Sequence, residues 1–251
     1  MKRLSVVSAI WSLALALPPS AGLQAAELRV LAGGSMTVVL NELAPQFERA
    51  SGHKLVIHFD STPNLIKLAT SGDPFDLGVV PIDVFKDAAA TARFALPTVD
   101  IAHVGYGVAV RTGAPKPDIS TPGALKKTLL EAKSIAYLPT SAAGAYVTSV
   151  FERLGIGEAM KAKTKPQATT GQIAEAVAKG DAELGVFLVN VLMAPGVELA
   201  GSFPSELQQD LVFTAAPAAD TKQAEGARAF INYLTGPAAT AVIKNMGLSP
   251  G

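Results

Sequence analysis

Three stretches of the chain share one arrangement of residue types. Gly33-Gly34-Ser35-Met36-Thr37, Asp60-Ser61-Thr62-Pro63-Asn64-Leu65 and Thr140-Ser141-Ala142-Ala143-Gly144-Ala145-Tyr146 each place small and hydroxyl-bearing residues between an apolar extended run and a helical pattern. The chemistry this suits is anion binding. The first turn of a helix leaves backbone N–H groups without intrahelical acceptors. The helix dipole adds partial positive charge at the same end. Ser and Thr hydroxyls add donors, and Gly or Ala lets the backbone approach closely. Three such turns facing one cleft could hold a dianion with no Lys or Arg. Ordinary helix capping also selects Ser and Thr at these positions. What favours a site is their repetition after successive strands, where open parallel sheets place ligands.

Other chemistries are excluded or weakened by composition. The chain has no Cys, so thiol nucleophiles, zinc–cysteine sites and disulfides are ruled out. His53, His58 and His103 are not at metal-ligand spacings. No metal and no cofactor are expected. Lys and Arg number 21 and Asp and Glu 21, which gives no electrostatic footprint for nucleic acid. Two readings stay open for Asp60: pointing to solvent or capping the helix that follows it, or facing a pocket, where it accepts from a donor on an organic ligand or acts as a base. His103 and Tyr106 are weaker candidates for a base. Ile101, Ala102 and Val104 mark His103 as a packed strand residue, and Tyr106 reads as packing at a crossing between lobes. His53 reads as an exposed loop residue and His58 as a strand residue.

The elements that must position these turns follow from periodicity. Lys2 and Arg3, an apolar run over Leu4–Leu17 and small residues up to Ala26 read as an export signal, residues 1–26. The run is about 14 residues, short of the ~20 that span a bilayer. Removing it leaves 19 basic against 21 acidic residues, an exported and slightly acidic protein consistent with a bacterial periplasm. The mature chain opens with strand, helix, strand, helix, strand: ELRVLA, a face of Val38, Val39, Leu43 and Phe47, then KLVIHF, a short helix at Leu65–Leu68, and DLGVV. Such crossover units build parallel sheets. Pro97–Val110 predicts two extended segments crossing between lobes at Gly105-Tyr106-Gly107. SIAYL at Ser134–Leu138 and Ala182–Val189 predict further strands. Helices are predicted at Ala145–Leu154, Gln172–Ala178, Thr221–Leu234 and Pro237–Met246. The organisation predicted is α/β with two lobes: 27–105 plus 215–251, and 106–214, hinged near Gly105–Val108 and Thr214–Pro217.

In order and spacing these pieces resemble a known family, the periplasmic molybdate-binding proteins of ABC importers, within the type II periplasmic binding proteins. The resemblance runs from about Leu28 to Gly247. It is carried by Val30-Leu31-Ala32-Gly33-Gly34-Ser35-Met36, Phe59-Asp60-Ser61-Thr62-Pro63-Asn64-Leu65, Gly72-Asp73-Pro74-Phe75-Asp76-Leu77, Ala143-Gly144-Ala145-Tyr146, Leu184-Gly185-Val186 and Phe230-Ile231-Asn232-Tyr233-Leu234-Thr235-Gly236-Pro237-Ala238-Ala239. It implies two mainly parallel lobes flanked by helices, joined by two crossing strands, with a small anion clamped between them. It also implies a permease partner in the inner membrane and a monomeric receptor. The oxyanion contacts it implies are two hydroxyl-bearing turns, two backbone amides and a tyrosine hydroxyl. These fall on Ser35 beside Gly34, on Thr62 with Ser61 adjacent, on Ala143 beside Gly144, on an amide near Gly171, and on Leu188, which has no hydroxyl. Asp60 stands where the family has a small residue. A secreted aconitate isomerase resembles the same branch, which implies an alternative activity: proton transfer on a tricarboxylate with Asp60 as base.

Overall fold

The structure is a computed structural model that describes residues 25–251. The expected export signal lies outside the described residues except for Ala25 and Ala26. Among the described residues, no helix is long and apolar enough to cross a membrane.

The chain begins with β1 (Glu27–Gly33), a tight 3-10 turn at Gly34–Met36 and α1 (Thr37–Ser51). Next come β2 (Lys54–Asp60), α2 (Thr62–Thr70), β3 (Leu77–Pro81), the short α3 (Ala88–Thr91) and β4 (Val99–Val104). The chain then enters a second sheet through β5 (Tyr106–Arg111). It continues through α4 (Pro122–Glu131), β6 (Ile135–Tyr137), α5 (Ala142–Arg153), α6 (Gly157–Lys163), β7 (Thr164–Pro166) and α7 (Thr170–Lys179). After β8 (Leu184–Leu188), α8 (Val189–Leu192) and β9 (Val197–Ser202) it returns as β10 (Leu211–Pro217), followed by α9 (Ala224–Leu234), α10 (Pro237–Asn245) and β11 (Ser249–Pro250).

The first sheet has the order β11-β4-β10-β3-β1-β2 and the second β7-β6-β8-β5-β9. β1 runs parallel to β2 and β3, and β6 parallel to β7 and β8. In each sheet the strand returning from the other half is antiparallel: β10 between β3 and β4, β5 between β8 and β9. Every residue of β3 and β8 is buried, as expected for strands covered on both faces. This is the two-lobed α/β architecture expected from the sequence, but the sheets are mixed rather than mainly parallel. Two of the five pairings in the first sheet and two of the four in the second are parallel, because the strands that cross between the lobes enter antiparallel.

The first crossing falls at Gly105, as the Gly105-Tyr106-Gly107 element predicts. The return crossing does not fall at Thr214–Pro217. Those residues pair with β3 and β4 inside the first sheet, and Thr214 is fully buried. The chain instead crosses between Ser202 and Leu211. The physical reason is that Leu211–Pro217 is an apolar run, better buried in a sheet than stretched over a hinge. Gln208 ties the two crossings together: its Oε1 accepts from the Tyr106 N–H at 2.8 Å and its Nε2 donates to the Tyr106 carbonyl at 3.0 Å.

Two local expectations are also corrected. The buried face of α1 is Val39, Leu40, Leu43 and Phe47, while Val38 is 62% exposed. At 3.6 residues per turn Val38 lies one step off that face. His53 is buried, not in an exposed loop. Its Nδ1 accepts from the Ala26 N–H at 3.1 Å, and its ring stacks on Phe47 at 5.9 Å.

Candidate functional site

The parallel register of the first sheet pairs Gly33 with Asp60, so the C-terminal ends of β1 and β2 lie side by side. The turn at Gly34–Met36 and the start of α2 therefore open at one edge. Gly33 is sterically required here. A Cβ on it would stand 2.9 Å from the Phe213 ring and 3.0 Å from Pro81. Ser61 is the N-cap of α2 and Pro63 occupies its first turn, so the peptide N–H groups of Thr62 and Asn64 have no intrahelical acceptor. Among the described residues, no protein group hydrogen-bonds the hydroxyls of Ser35, Ser61 or Thr62, although Thr62 is largely buried.

The second sheet repeats the device. Its register pairs Tyr137 at the end of β6 with Pro166 at the end of β7, and α5 and α7 start shortly beyond. Ser141 caps α5: its Oγ accepts from the Gly144 N–H at 3.0 Å and donates to the Leu138 carbonyl at 2.9 Å. The amides of Ala142 and Ala143 stay outside that cap. At α7 the Gln172 side chain reaches back to the Thr169 N–H at 3.1 Å, which leaves the amides of Thr170 and Gly171 outside the cap. All four turns stand at carboxyl ends of parallel strands.

These ends enclose a single cavity of about 440 Å³. Gly34, Ser35, Asp60, Ser61, Thr62, Ala143 and Gly171 all line it, together with Ser141, Thr169, Thr170 and Asn190. Much of the remaining wall is carbon, including Phe59, Leu138, Val191, Met193, Leu211 and Phe213. Among the described residues, neither Lys, Arg nor His lines the cavity, and Asp60 is its one ionisable residue. Among the described residues no cluster of three or more His, Cys, Asp or Glu could hold a metal.

The lobes are joined across the cavity by two hydrogen bonds to one turn. Thr170 Oγ1 donates to the Gly34 carbonyl at 3.0 Å, and Asn190 Nδ2 donates to the Ser35 carbonyl at 2.7 Å. Both carbonyls belong to the turn that carries Ser35, so closure and the first hydroxyl are mechanically linked. Asn190 Oδ1 is buried and has no hydrogen-bond partner.

The cap of α2 is Ser61, not Asp60. It lines the cavity and also organises the start of α2. Its Oδ1 accepts from the Ser61 N–H at 2.7 Å and from Asn64 Nδ2 at 2.9 Å, and its Oδ2 lies 3.4 Å from His58 Nε2. Burial pushes its pKa up, but the Asn64, Ser61 and His58 contacts outweigh that and hold the carboxyl below its ordinary value. Asp60 is therefore an ionised acceptor at neutral pH and a weak base.

Four other sequence-based candidates lie away from the cavity. The Gly144 amide is taken by Ser141, and a Cβ there would collide with the Leu138 carbonyl, so Gly144 serves packing. Leu188 is fully buried at the end of β8, paired with Tyr106, and does not reach the cavity wall. His103 sits on β4 between β10 and β11. Tyr106 is buried between Tyr146 at 4.7 Å and Phe203 at 5.9 Å, and burial pushes its phenol well above the ordinary value, so it stays protonated. Thr170 and Asn190, which join the lobes across the cavity, were not among the sequence-based candidates. Thr170 belongs to a fourth turn, Thr169-Thr170-Gly171, which also combines hydroxyls with a glycine, in the reverse order to the first. Asn190 stands alone after the apolar run of β8, and no local pattern distinguishes it.

Comparison with known proteins agrees with this geometry. A family model for bacterial extracellular solute-binding proteins matches residues 28–249. Aconitate isomerase from a Pseudomonas species is 33% identical over 234 residues, covering 89% of this chain and 87% of that protein. The molybdate-binding protein ModA of Azotobacter vinelandii is 30% identical over 235 residues, covering 89% and 90%. The solved structure of the periplasmic molybdate-binding protein of Azotobacter vinelandii shares the fold with a TM-score of 0.73 at 23% identity, covering 88% of this chain and 98% of that one. The chain belongs to the bacterial extracellular solute-binding protein family, within its molybdate-binding-like group.

Proposed function

We propose that this protein is an exported receptor of an ABC importer, which closes its two lobes on a small anion and hands it to a permease in the inner membrane. The ligand would be a molybdate-like oxyanion or a small organic acid, bound by a monomer. The observation that carries this reading is the convergence of four helix starts on one cavity in whose wall, among the described residues, there is no fixed cation. Hydroxyls of Ser35, Ser61 and Thr62 and amides of Ala143 and Gly171 would coordinate the anionic oxygens, with closure about Gly105 and the 203–210 segment. A thermal-shift panel of oxyanions and small carboxylates tests it. A ligand at a hundred times its Kd stabilises the folded state by about 2.7 kcal/mol. For a chain of this size that raises the midpoint by about 5–11 °C. If no anion at millimolar concentration moves the midpoint, the reading is wrong.

A second reading is an isomerase on the same scaffold that moves a proton between carbons of a tricarboxylate such as aconitate. Two observations favour it: Asp60 is the one ionisable group on the cavity wall, and an aconitate isomerase is 33% identical. Asp60 would have to act through Oδ2, since Oδ1 already accepts two hydrogen bonds. Incubation with cis- or trans-aconitate decides the matter. Interconversion that disappears in Asp60→Asn while binding persists establishes the isomerase; its absence in the wild type leaves the receptor.

A further inference from the structure

We propose that Met193 is an oxidation site for peroxide-class oxidants, and that its sulfoxide hinders closure of the two lobes. The inference rests on lobe closure as read above and is indifferent to which anion the cavity takes.

The place of the sulfur carries it. Val189 opens α8 and donates its N–H to the Gly105 carbonyl at 3.0 Å, so α8 starts at the crossing about which the lobes turn. Met193 follows α8 directly and borders the cavity. Opposite it, in the other lobe, the chain turns from α10 into β11 at Gly247, with φ at 78°. A Cβ built on Gly247 would stand 2.5 Å from Met193 Sδ and 3.5 Å from Val189 Cγ1. The thioether therefore packs on bare backbone, between the lobes and beside the pivot.

An oxygen on that sulfur has no place in the contact. The N–H groups of the turn are already engaged: Met246 donates to the Val242 carbonyl at 3.1 Å, Gly247 to that of Lys244 at 3.1 Å and Leu248 to that of Ile243 at 3.2 Å. A sulfoxide oxygen is a polar acceptor and would meet no donor there. The side chain must then swing out, giving up the contact, or hold the lobes apart. Both penalise the closed state.

Reactivity singles out the same residue. Among the described methionines, Met193 is 52% exposed, whereas Met36 and Met160 are buried and Met246 is half-buried. The chain has no Cys, so no thiol competes for the oxidant. In the reaction the sulfur lone pair attacks one oxygen of hydrogen peroxide and the O–O bond breaks. That oxygen stays on sulfur, and the other leaves as water with both protons. Sulfur is oxidised and peroxide reduced.

The test titrates hydrogen peroxide onto the mature protein, and peptide mapping locates the added oxygen. Met193 should be oxidised ahead of Met246, Met36 and Met160. In the ligand-free protein the Gly247 amide resonance should move on oxidation. Calorimetry with molybdate and with citrate, before and after treatment, should show binding weakened by about fivefold or more. Met193→Leu keeps an apolar contact without an oxidisable sulfur, so peroxide should change neither its Gly247 resonance nor its affinities. The proposal is overturned, while the receptor reading stands, if another methionine is oxidised as fast as Met193 or if Met193→Leu responds to peroxide like the wild type. It is equally overturned if the Met193 sulfoxide leaves either the Gly247 resonance or the affinity unchanged. If neither probe binds the untreated protein, the receptor reading loses support, and the order of oxidation together with the Gly247 resonance decides the oxidation site.

Discussion

The two bonds to the Gly34–Ser35 turn allow a quantitative test of lobe closure. Thr170→Val keeps side-chain shape and the α7 amides but removes the hydroxyl that donates to the Gly34 carbonyl at 3.0 Å. In the open state water satisfies both partners, so the loss is the net worth of one hydrogen bond, about 0.5–1.5 kcal/mol. That shifts the closed-to-open ratio by about 2- to 13-fold. Where the ligand-free protein is mostly open, apparent affinity falls by the same factor, because only the closed fraction is competent. The loss belongs in the dissociation rate, since the latch forms after the ligand enters. Two assays check this: calorimetry with whichever anion binds the wild type, and small-angle scattering of the ligand-free protein, whose radius stays constant in that mostly open regime and grows only where the closed form dominates, in which case the loss of affinity is smaller. Adding Asn190→Leu removes the 2.7 Å bond to the same turn and should exceed either single change. Should Thr170→Val lower the melting midpoint while leaving affinity, dissociation rate and radius untouched, the bond is local packing and the latch argument fails.

Gly33→Ala should lower the midpoint by several degrees, through about 1–3 kcal/mol of overpacking against Phe213 and Pro81, whereas Gly34→Ala, with its nearest neighbours at 3.6 Å, should be nearly neutral; thermal melts compare them. Asp60→Asn removes an acceptor that faces any incoming oxyanion, so calorimetry should show inorganic oxyanions binding more tightly. Because the Asp60 carboxyl is held below its ordinary pKa, its stabilisation is present above that ordinary value and is lost as pH falls below it; Asp60→Asn should flatten that part of the acid melting profile. Burial raises the Tyr106 phenol, so stability should fall as pH rises past the ordinary phenol value near 10, and Tyr106→Phe should remove part of that slope; denaturant melts across the alkaline range measure it.

The fold was legible because its signals are local and repeated. Apolar runs bounded by small turns mark β1, β2, β3, β6 and β8, and the order strand–helix–strand permits few topologies. The return crossing was misplaced because an apolar strand and an apolar hinge have the same composition; only pairing to β3 and β4 shows that Thr214 sits in a sheet. The cavity wall was legible at Ser35, Ser61, Thr62 and Ala143, where hydroxyls or small residues meet a helix start. Gly144 lies off that wall: capping chemistry and anion-binding chemistry use the same residues, and one hydrogen bond to Ser141 decides which amide is already taken.

By itself the chain determined which groups are on offer: amides and hydroxyls at helix starts, with no thiol and no histidine cluster. Each of those is a property of residue type and short spacing. Only the tertiary structure decided that the four helix starts open into one cavity, that Asp60 lines that cavity while bonding Ser61 and Asn64 at the start of α2, and that Asn190 spans the cleft to Ser35, 155 residues earlier in the chain. Contacts of that span depend on how the two sheets meet, and no local preference along the chain encodes where two rigid lobes touch.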